Sequence, residues 1–341
     1  MSKLRVAVVM GGRSSEHEIS LASARSVLDA LDPARYEAVT VEIGRDGRWE
    51  LGSGSLGELE REGRAVVETM PVPTSQVPAT LAEVDVVFPV LHGPFGEDGT
   101  VQGLLELADV PYVGAGVTAS ALCMDKDLFK AILRDKGIPV TRSVTLRQGE
   151  AEGFESPFGF PVFVKPARLG SSVGISKARG PDELRAAIEL AFRHDEKVLV
   201  EEFVSGVEVE CSVLGNEQPI ASIPGEIVAN SDWYDYSSKY DEGGMDLVIP
   251  PRVPQEAIDR VQELSVAAFR ATECEGMARA DCFVRDDGEV LINELNTIPG
   301  FTATSVYAKL FEASGIPYEE LLDRLVQLAL DRHARRANLK Y

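Results

Sequence analysis

One stretch late in the chain combines charged and amide side chains at a spacing that could bind a metal ion. Two apolar runs flank Asp287-Gly288, a dipeptide that favours a two-residue hairpin turn. With that turn, Asp281 is predicted to lie opposite Glu294, and Arg279 opposite Asn296. Because side chains alternate along a strand with a period of two, all four are expected on one face of the hairpin.

Two carboxylates that face each other across strands repel unless a positive group lies between them. Asp, Glu and Asn supply the oxygen ligands that Mg²⁺ prefers when phosphate completes its shell. The hairpin therefore predicts a magnesium site formed by Asp281, Glu294 and Asn296, with Arg279 placed to stabilise developing negative charge. The alternative is a metal-free salt bridge from Arg279 to the two acids, since a one-residue slip would reverse the faces.

A second set of residues could bind phosphate. Lys165 ends a strand predicted over residues 161–165, and a Gly/Ser loop at 168–174 follows it. The small residues of such a loop let backbone N–H groups approach an anion. Lys126 begins a helix predicted over residues 125–136. Each lysine alone is better explained as a solvated surface residue, but a strand-end lysine beside such a loop makes phosphate binding an equally good interpretation.

Three short motifs point to other chemistry and are weaker. Residues 170–174 match the G-x-S-x-G of α/β-hydrolases, but four residues separate them from the preceding strand and the following sequence is β-like. Residues 114–119 match a dinucleotide fingerprint, yet the acid at the required distance, Asp135, lies within a predicted helix. His17-Glu18 lacks the second histidine of a zincin because Leu21 stands at that position.

The elements that must position these residues alternate in the first third of the chain. The apolar pattern predicts strands at residues 4–10, 37–43 and 84–91 and a helix at 18–31, which together indicate a parallel sheet. Ligands of such sheets bind beyond the carboxyl ends of the strands. The segment 44–78 is predicted to be a surface excursion. A second unit begins near residue 120, and a third, from about 206, contains a polar loop at 230–244 and a helix at 255–272.

Length and charge limit the function classes. The 341 residues predict two to three domains. With 34 Lys and Arg against 55 Asp and Glu, the net charge of -21 disfavours nucleic acids and anionic membranes as partners. The four cysteines lie far apart, and no apolar run is long enough for a membrane span. We therefore expect a cytoplasmic protein with buried thiols.

The combined motifs resemble those of ATP-grasp ligases and, within that superfamily, of the D-alanine:D-alanine ligases. The similarity covers nearly the whole chain and lies in segments 11–20, 91–100, 124–126, 165–177, 234–240 and 293–302. It implies an α/β fold, α+β in the C-terminal part, with the active site in a cleft between three domains. The expected domains are 1–119 with the first D-alanine site, 120–205 with the phosphate flap, and 206–341 with the magnesium hairpin and the second D-alanine site.

The resemblance also implies roles for individual residues. Glu16 would receive the ammonium of the first D-alanine and Ser305 the carboxylate of the second, while Glu201 would bind the adenine amino group. The implied catalytic and substrate residues are Glu16, His92, Ser171, Tyr240, Arg279, Gly300 and Ser305. The implied nucleotide residues are Lys126, Lys165, Ser172, Val173, Glu201, Glu208 and Lys239. The implied metal ligands are Asp281, Glu294 and Asn296, the residues that the hairpin predicts independently.

The implied reaction joins two D-alanine molecules through a D-alanyl phosphate, releases ADP and phosphate, and serves peptidoglycan precursor synthesis. It would use ATP as a substrate and two Mg²⁺ ions, with Mn²⁺ as a substitute, in a homodimer. A D-alanyl-D-lactate or D-alanyl-D-serine ligase, or a non-catalytic nucleotide-binding protein on the same fold, are the alternatives. Tyr240 favours the dipeptide, because lactate-using relatives often carry Phe at that position.

Overall fold

Three sheets organise the part of the chain that the structure, a computed structural model, describes: residues 3–52, 69–72, 77, 81, 83–170, 173–229 and 245–340. The strands are β1 Leu4–Gly11, β2 Tyr36–Ile43, β3 Trp49–Gly52, β4 Thr69–Val72, β5 Val86–Pro89, β6 Ser143–Arg147, β7 Val162–Pro166, β8 Ser176–Ala178, β9 Lys197–Glu202, β10 Val207–Gly215, β11 Ile220–Ala221, β12 Gly225–Ala229, β13 Met245–Val248, β14 Gly276–Val284 and β15 Val290–Asn296. The helices are α1 His17–Ala30, α2 Thr100–Leu107, α3 Val117–Met124, α4 Lys126–Asp135, α5 Pro181–Ala191, α6 Gln255–Ala271, α7 Val306–Ala313 and α8 Tyr318–Ala337.

The first sheet has the strand order β4-β3-β2-β1-β5, and β1 runs parallel to both β2 and β5. Alternate residues of β1 point into two different cores: Val6 and Val8 into one, and Ala7 and Val9 into the other. A strand covered on both faces reads as a continuous apolar run rather than as an alternating one. The parallel sheet predicted from these runs is confirmed.

Two described parts of the segment predicted as a surface excursion, residues 44–78, instead extend this sheet. Strand β3 pairs antiparallel with β2, and β4 pairs antiparallel with β3. Both strands are short, and β4 contains Pro71, which lacks a backbone N–H and is tolerated in a strand at the edge of a sheet. Strands of four residues show too little alternation for a pattern to predict them, so the prediction was wrong for these two strands.

The other two sheets carry the predicted nucleotide and metal residues. One has the order β6-β9-β7-β8, and α5 packs on it through Leu184 and Ile188. The other runs β13-β12-β10-β14-β15, and α6 packs on it through Val261, Leu264 and Phe269. The predicted strand at 161–165 and the predicted helix at 255–272 agree with β7 and α6 to within one residue at each end.

The β14–β15 hairpin reaches the predicted pairing by a different route. The N–H of Arg285 donates to the carbonyl of Glu289, so residues 286–288 form a three-residue connection in which Gly288 has φ 86°. The predicted two-residue turn is therefore wrong, because an Asp-Gly pair also suits a longer loop whose glycine takes the left-handed conformation. A bulge at Asn293 then shifts the register by one residue, and beyond it Asp281 pairs with Glu294 and Arg279 with Asn296. The predicted pairs are confirmed.

The largest core cluster joins distant parts of the sequence. Val8 and Phe88 of the first sheet share it with Phe301 and with Leu321 and Leu325 of α8. The first sheet is thereby packed against C-terminal helices that follow the hairpin. Each sheet falls within one of the three predicted domain ranges, but the domain boundaries themselves stay a prediction.

Candidate active site

A row of carboxylates crosses three neighbouring strands of the third sheet. Glu210 on β10 pairs with Asp281 on β14, which pairs with Glu294 on β15. The guanidinium of Arg279 donates to both oxygens of Asp281, from Nε at 2.7 Å and from Nη2 at 2.8 Å, and its Nε lies 2.9 Å from Glu210 Oε2. Burial opposes the charge of Arg279, but Asp281 and Glu210 outweigh it and hold its pKa well above the usual range.

The donor set of this row fits a hard divalent cation. Asp281, Glu294 and Asn296 present oxygen-bearing side chains on one face, and Asn296 Nδ2 donates to Asp281 Oδ2 at 3.0 Å. Arg279 supplies the positive charge at Asp281, as in the salt bridge that the sequence left as an alternative. In the described ranges, no three His, Cys, Asp or Glu side chains are gathered into a metal-binding group. A metal ion would therefore require Arg279 to move from Asp281.

The carboxylate row opens into a cavity of about 480 Å³ between the first and third sheets. Seven residues predicted for the site line its wall: Glu16, His92, Arg279, Glu294, Asn296, Gly300 and Ser305. Ser305 precedes α7, and its Oγ accepts from the N–H of Thr302 at 2.9 Å. A Cβ at Gly300 would lie 3.4 Å from that Oγ. The structure thus brings together those residues predicted for the two amino-acid sites that lie within the described ranges.

Two further acidic side chains face this cavity from the rim of the first sheet. Glu16 precedes α1 and is buried, and Gly93, at φ 74°, makes room for it, since a Cβ there would lie 2.7 Å from Glu16 Oε2. The N–H of Gly93 donates to Glu97 Oε1 at 2.9 Å. Loss of hydration and the charge of Glu16 raise the pKa of Glu97 to about 8. The rim therefore carries two close carboxyl groups, an arrangement that a nearby cation would stabilise.

His92 links this rim to the loop that follows β15. Its Nδ1 lies 3.0 Å from the carbonyl of Ile298, which can only accept, so Nδ1 carries the proton. Nε2 then accepts from Ser23 Oγ at 3.3 Å. Burial lowers the pKa of His92, so the neutral ring is favoured. His92 therefore connects two walls of the cavity through hydrogen bonds.

A cluster of lysines and acids adjoins the carboxylate row. Lys165 Nζ lies 2.6 Å from Glu201 Oε2, and Lys126 Nζ lies 3.4 Å from Glu294 Oε2. Burial opposes the charge on Lys165, but Glu201 and Glu294 outweigh it and raise the pKa of its ammonium. Burial likewise opposes charge on Glu201, and Lys130 and Lys165 lower its pKa. Each of the two groups thus stabilises the charged form of the other.

This cluster also fits an adenine nucleotide. Glu201 Oε1 is buried and, among the described residues, accepts no hydrogen bond of good geometry, although the Lys130 ammonium lies 3.2 Å away. A carboxylate oxygen with spare acceptor capacity can receive an amino group. Two lysines beside it, Lys126 and Lys165, suit phosphate.

Comparison with known proteins identifies the family. Residues 5–115 match the family model described as the D-ala D-ala ligase N-terminus, and residues 132–327 match the one described as the D-ala D-ala ligase C-terminus. The chain belongs to the D-alanine–D-alanine ligase family. The resemblance inferred from the motifs is confirmed.

Individual relatives agree over the full length. D-alanine–D-alanine ligase A from Chromobacterium violaceum is 46% identical over 353 residues, which cover 97% of this chain and 96% of the relative. The crystal structure of the VanG D-Ala:D-Ser ligase from Enterococcus faecalis has a TM-score of 0.86 at 38% identity and covers 96% of this chain and 100% of that one. The ligase from Bacillus anthracis complexed with ATP has a TM-score of 0.78 at 28% identity, with coverage of 98% and 99%. The α/β ATP-grasp fold is therefore confirmed.

The helices described in the structure include none with the length and apolarity of a membrane span.

Several residues that the family resemblance implies do not line the cavity or lie outside the described ranges. Glu208 faces the lysine cluster from β10 and contributes to the raised pKa of Lys165. Val173 donates its N–H to the carbonyl of Gly170 at 3.2 Å and is not among the described residues that line the cavity. The predictions for Ser171, Ser172, Lys239 and Tyr240 fall outside the described residues.

Sequence reasoning missed three charged residues of this ligase fold. Lys130 follows Lys126 by four residues and therefore lies on the same face of α4. Glu210 follows Glu208 by two residues on β10, so both lie on the face of the sheet that carries Asp281 on the neighbouring strand β14. Glu97 lies within the 91–100 motif that carried the resemblance. Helical and strand periodicity could have found the first two.

Proposed function

We propose that this chain ligates two D-alanine molecules to D-alanyl-D-alanine and that cleavage of ATP to ADP and phosphate drives the ligation. The observation that carries the proposal is the single cavity in which Glu16, Arg279 and Ser305 face the carboxylate row. An acid that suits an ammonium, a cation that suits a developing oxyanion and a hydroxyl that suits a carboxylate are the groups that two amino acids require. Full-length identity to curated D-alanine–D-alanine ligases supports it.

In the first step, the carboxylate of one D-alanine attacks the γ-phosphorus of ATP. Glu16 would bind the ammonium of this substrate, and Lys126 and Lys165 would neutralise the phosphate oxygens. The O–P bond forms as the β–γ bridge breaks, which yields D-alanyl phosphate and ADP. Positioning and charge neutralisation supply such catalysis, so no side-chain nucleophile is needed.

In the second step, the amine of the other D-alanine attacks the acyl carbon. Arg279 and the backbone near Gly300 would stabilise the tetrahedral oxyanion, and phosphate then leaves as the amide forms. Ser305 would hold the carboxylate of the attacking molecule. His92, buried and neutral, fixes the wall of the cavity near the first substrate.

Two Mg²⁺ ions, or Mn²⁺ in their place, would be held by Asp281, Glu294 and Asn296. When bound, such ions would neutralise the negative charge of the phosphate oxygens. The guanidinium of Arg279 would exchange its contact with Asp281 for one with the reacting oxygens. Ser171, Ser172, Val173, Lys239 and Tyr240, together with Glu201 and Glu208, complete the proposed nucleotide and substrate site.

The deciding experiment measures ADP release with ATP and Mg²⁺ in the presence and absence of D-alanine, with product identified by mass spectrometry. We expect D-alanine-dependent ADP release and D-alanyl-D-alanine as product. ADP release that does not depend on D-alanine would indicate an ATPase with another acceptor and overturn the proposal, and no release at all would favour a non-catalytic nucleotide-binding protein. Because the VanG D-Ala:D-Ser ligase is also similar in structure, D-serine and D-lactate are offered in competition with D-alanine, and a mixed product would overturn the dipeptide assignment.

The proposed setting follows from the same family. A ligase for peptidoglycan precursors acts in the cytoplasm, where ATP is available, and a homodimer is the proposed assembly. The proposed domains are 1–119, 120–205 and 206–341. Size-exclusion chromatography with light scattering distinguishes a dimer from a monomer of 36.9 kDa.

A further inference from the structure

Lys130 lies where three segments of the proposed nucleotide site meet, yet the reaction as described assigns it no task. It follows Lys126 by one turn of α4, and its side chain has no exposed surface. Burial lowers the pKa of its ammonium to about 8. A buried lysine requires close partners, so its contacts identify what it stabilises.

Three partner residues surround the ammonium of Lys130, two through hydrogen bonds and Glu201 through an ion pair. Nζ lies 2.5 Å from Thr141 Oγ1, 2.9 Å from the carbonyl of Asn293 and 3.2 Å from Glu201 Oε1. A lysine ammonium has three N–H donors. The three partners belong to the segment before β6, to β15 and to β9. One ammonium therefore holds the three segments together.

Asn293 is the residue that the β15 bulge inserts. A bulge leaves its extra residue without a partner in the ladder, and here the Asn293 carbonyl accepts from Lys130 instead. Without the bulge, the register of the first pairs would place Asn293 opposite Asp281 and turn Glu294 to the other face. The contact with Lys130 thus supports the register that brings Glu294 to Asp281.

Glu201 is held between two ammonium groups. Lys165 contacts Oε2 at 2.6 Å and Lys130 contacts Oε1 at 3.2 Å. With Lys130 removed, both oxygens would be free to turn toward Lys165. That rotation would withdraw an acceptor from the nucleobase and would neutralise a lysine that suits phosphate.

We propose that Lys130 is a positioning residue for ATP, which orients Glu201 toward the adenine amino group and supports the Asn293 bulge that places Glu294. This inference rests on the proposed function, because the adenine contact of Glu201 is part of it. It assigns to Lys130 a role in nucleotide selectivity rather than contact with the reacting atoms.

The test compares Lys130→Met, which keeps the length of the side chain and removes its charge, with the wild-type chain. Binding of ATP and of ITP is measured by calorimetry without turnover, because ITP carries a carbonyl where ATP carries the amino group. We expect the Kd for ATP to rise about tenfold, the loss typical of one hydrogen bond to a charged group. The Kd for ITP should rise less, so the preference for ATP falls, and KM for ATP should change more than kcat.

Lys136→Met is the matched control, since Lys136 follows the same helix, is exposed and contacts only Asp135 among the partners described for it, at 3.5 Å. It should bind both nucleotides as the wild type does. A merely structural role for Lys130 would weaken ATP and ITP equally. An unchanged ATP-to-ITP ratio in Lys130→Met would therefore overturn the inference, as would a wild-type chain that binds both nucleotides equally.

Thr141→Val decides the matter if Lys130→Met does not fold. It removes one acceptor of the ammonium and leaves the charge in place, so we expect the same change in the ATP-to-ITP ratio at about threefold. An unchanged ratio in this variant would also count against the inference. A wild-type chain that binds ATP selectively but releases no ADP with D-alanine would overturn the proposed function and leave the role of Lys130 standing.

Discussion

Substitution of Arg279 by Gln should destabilise the chain in a way that Mg²⁺ alone can reverse. Arg279 makes three contacts, at 2.7 to 2.9 Å, with Asp281 and Glu210, which pair directly across neighbouring strands. Both acids are buried. Arg279→Gln keeps a polar side chain but leaves the two carboxylates facing each other without the cation that separates them.

The magnitude follows from the pairing. Paired residues on adjacent strands have Cβ atoms about 5 Å apart, and two like charges at that distance repel by about 3 kcal/mol at an effective dielectric constant of about 20. Removing one partner of a buried ion pair typically costs about 3–5 kcal/mol. We therefore expect the free energy of unfolding to fall by about 3 kcal/mol or more.

The assay is urea unfolding without nucleotide, in EDTA and in MgCl₂. A cation that binds the folded chain alone stabilises it by about 2.7 kcal/mol when its concentration is 100 times its Kd. In Arg279→Gln the ion enters a site whose competing guanidinium is gone, so Mg²⁺ should recover most of the lost stability. In the wild type Mg²⁺ must displace Arg279 from Asp281, so the gain should be smaller.

Arg252→Gln is the control, because the exposed Arg252 contacts Glu226 of β12, which pairs with Val209 and Val248 and not with a second acid. It should lose little stability and gain nothing from Mg²⁺. Equal losses in the two variants would refute the claim that paired carboxylates make Arg279 necessary. A Mg²⁺ effect no larger in Arg279→Gln than in the wild type would refute the metal site itself.

Three further changes test other parts of the site. Glu294→Ala should slow phosphate release at least about 100-fold, because one ligand of a charge clamp is worth about 3 kcal/mol; a near-normal rate in a stopped-flow assay would contradict the hairpin argument. The raised pKa of Glu97 makes its protonated form the favoured one in the folded state, so its contribution to stability falls as the pH rises from 4.5 to about 8. The melting temperature of Glu97→Gln should therefore fall less over this pH range than that of the wild type. Identical pH profiles of the melting temperature would show that Glu97 does not make this contribution. Lys197 contacts both oxygens of Asp125 at 2.6 Å, so Lys197→Met should lower the free energy of unfolding by about 3–5 kcal/mol, and a loss below about 1 kcal/mol in urea would show that the pair is dispensable.

The hairpin shows what the sequence can and cannot predict. Period-two alternation was enough to place Asp281 and Glu294 on one face, but the route to that pairing has two compensating parts. A three-residue connection moves the register by one, and the Asn293 bulge moves it back. The bulge depends on Lys130, a partner more than 160 residues away in sequence, and no local pattern contains that information.

The strands of the first sheet show the same limit in another form. The buried run of β1 is apolar on both faces, so composition alone predicts it. The short strands β3 and β4 are defined by pairing, β3 with β2 and β4 with β3, and not by their own residues. Glu210 belongs to the same class, since its importance comes from β14 lying beside β10, an order of strands that the sequence does not display.

The ion pairs of the site reconcile an acidic protein with a polyanionic substrate. Lys165 contacts Glu201, Lys126 contacts Glu294 and Arg279 contacts Asp281, so each cation proposed for phosphate is paired with an acid proposed for adenine or metal. Binding of ATP with Mg²⁺ would exchange these pairs: the acids would take the metal and the amino group, and the cations would take the phosphates. Because charges are balanced on both sides of this exchange, the affinity for ATP should depend less on the net charge of -21 than on the correct placement of each carboxylate. This is why we expect the residues that orient those carboxylates, Lys130 among them, to control nucleotide binding without touching the nucleotide.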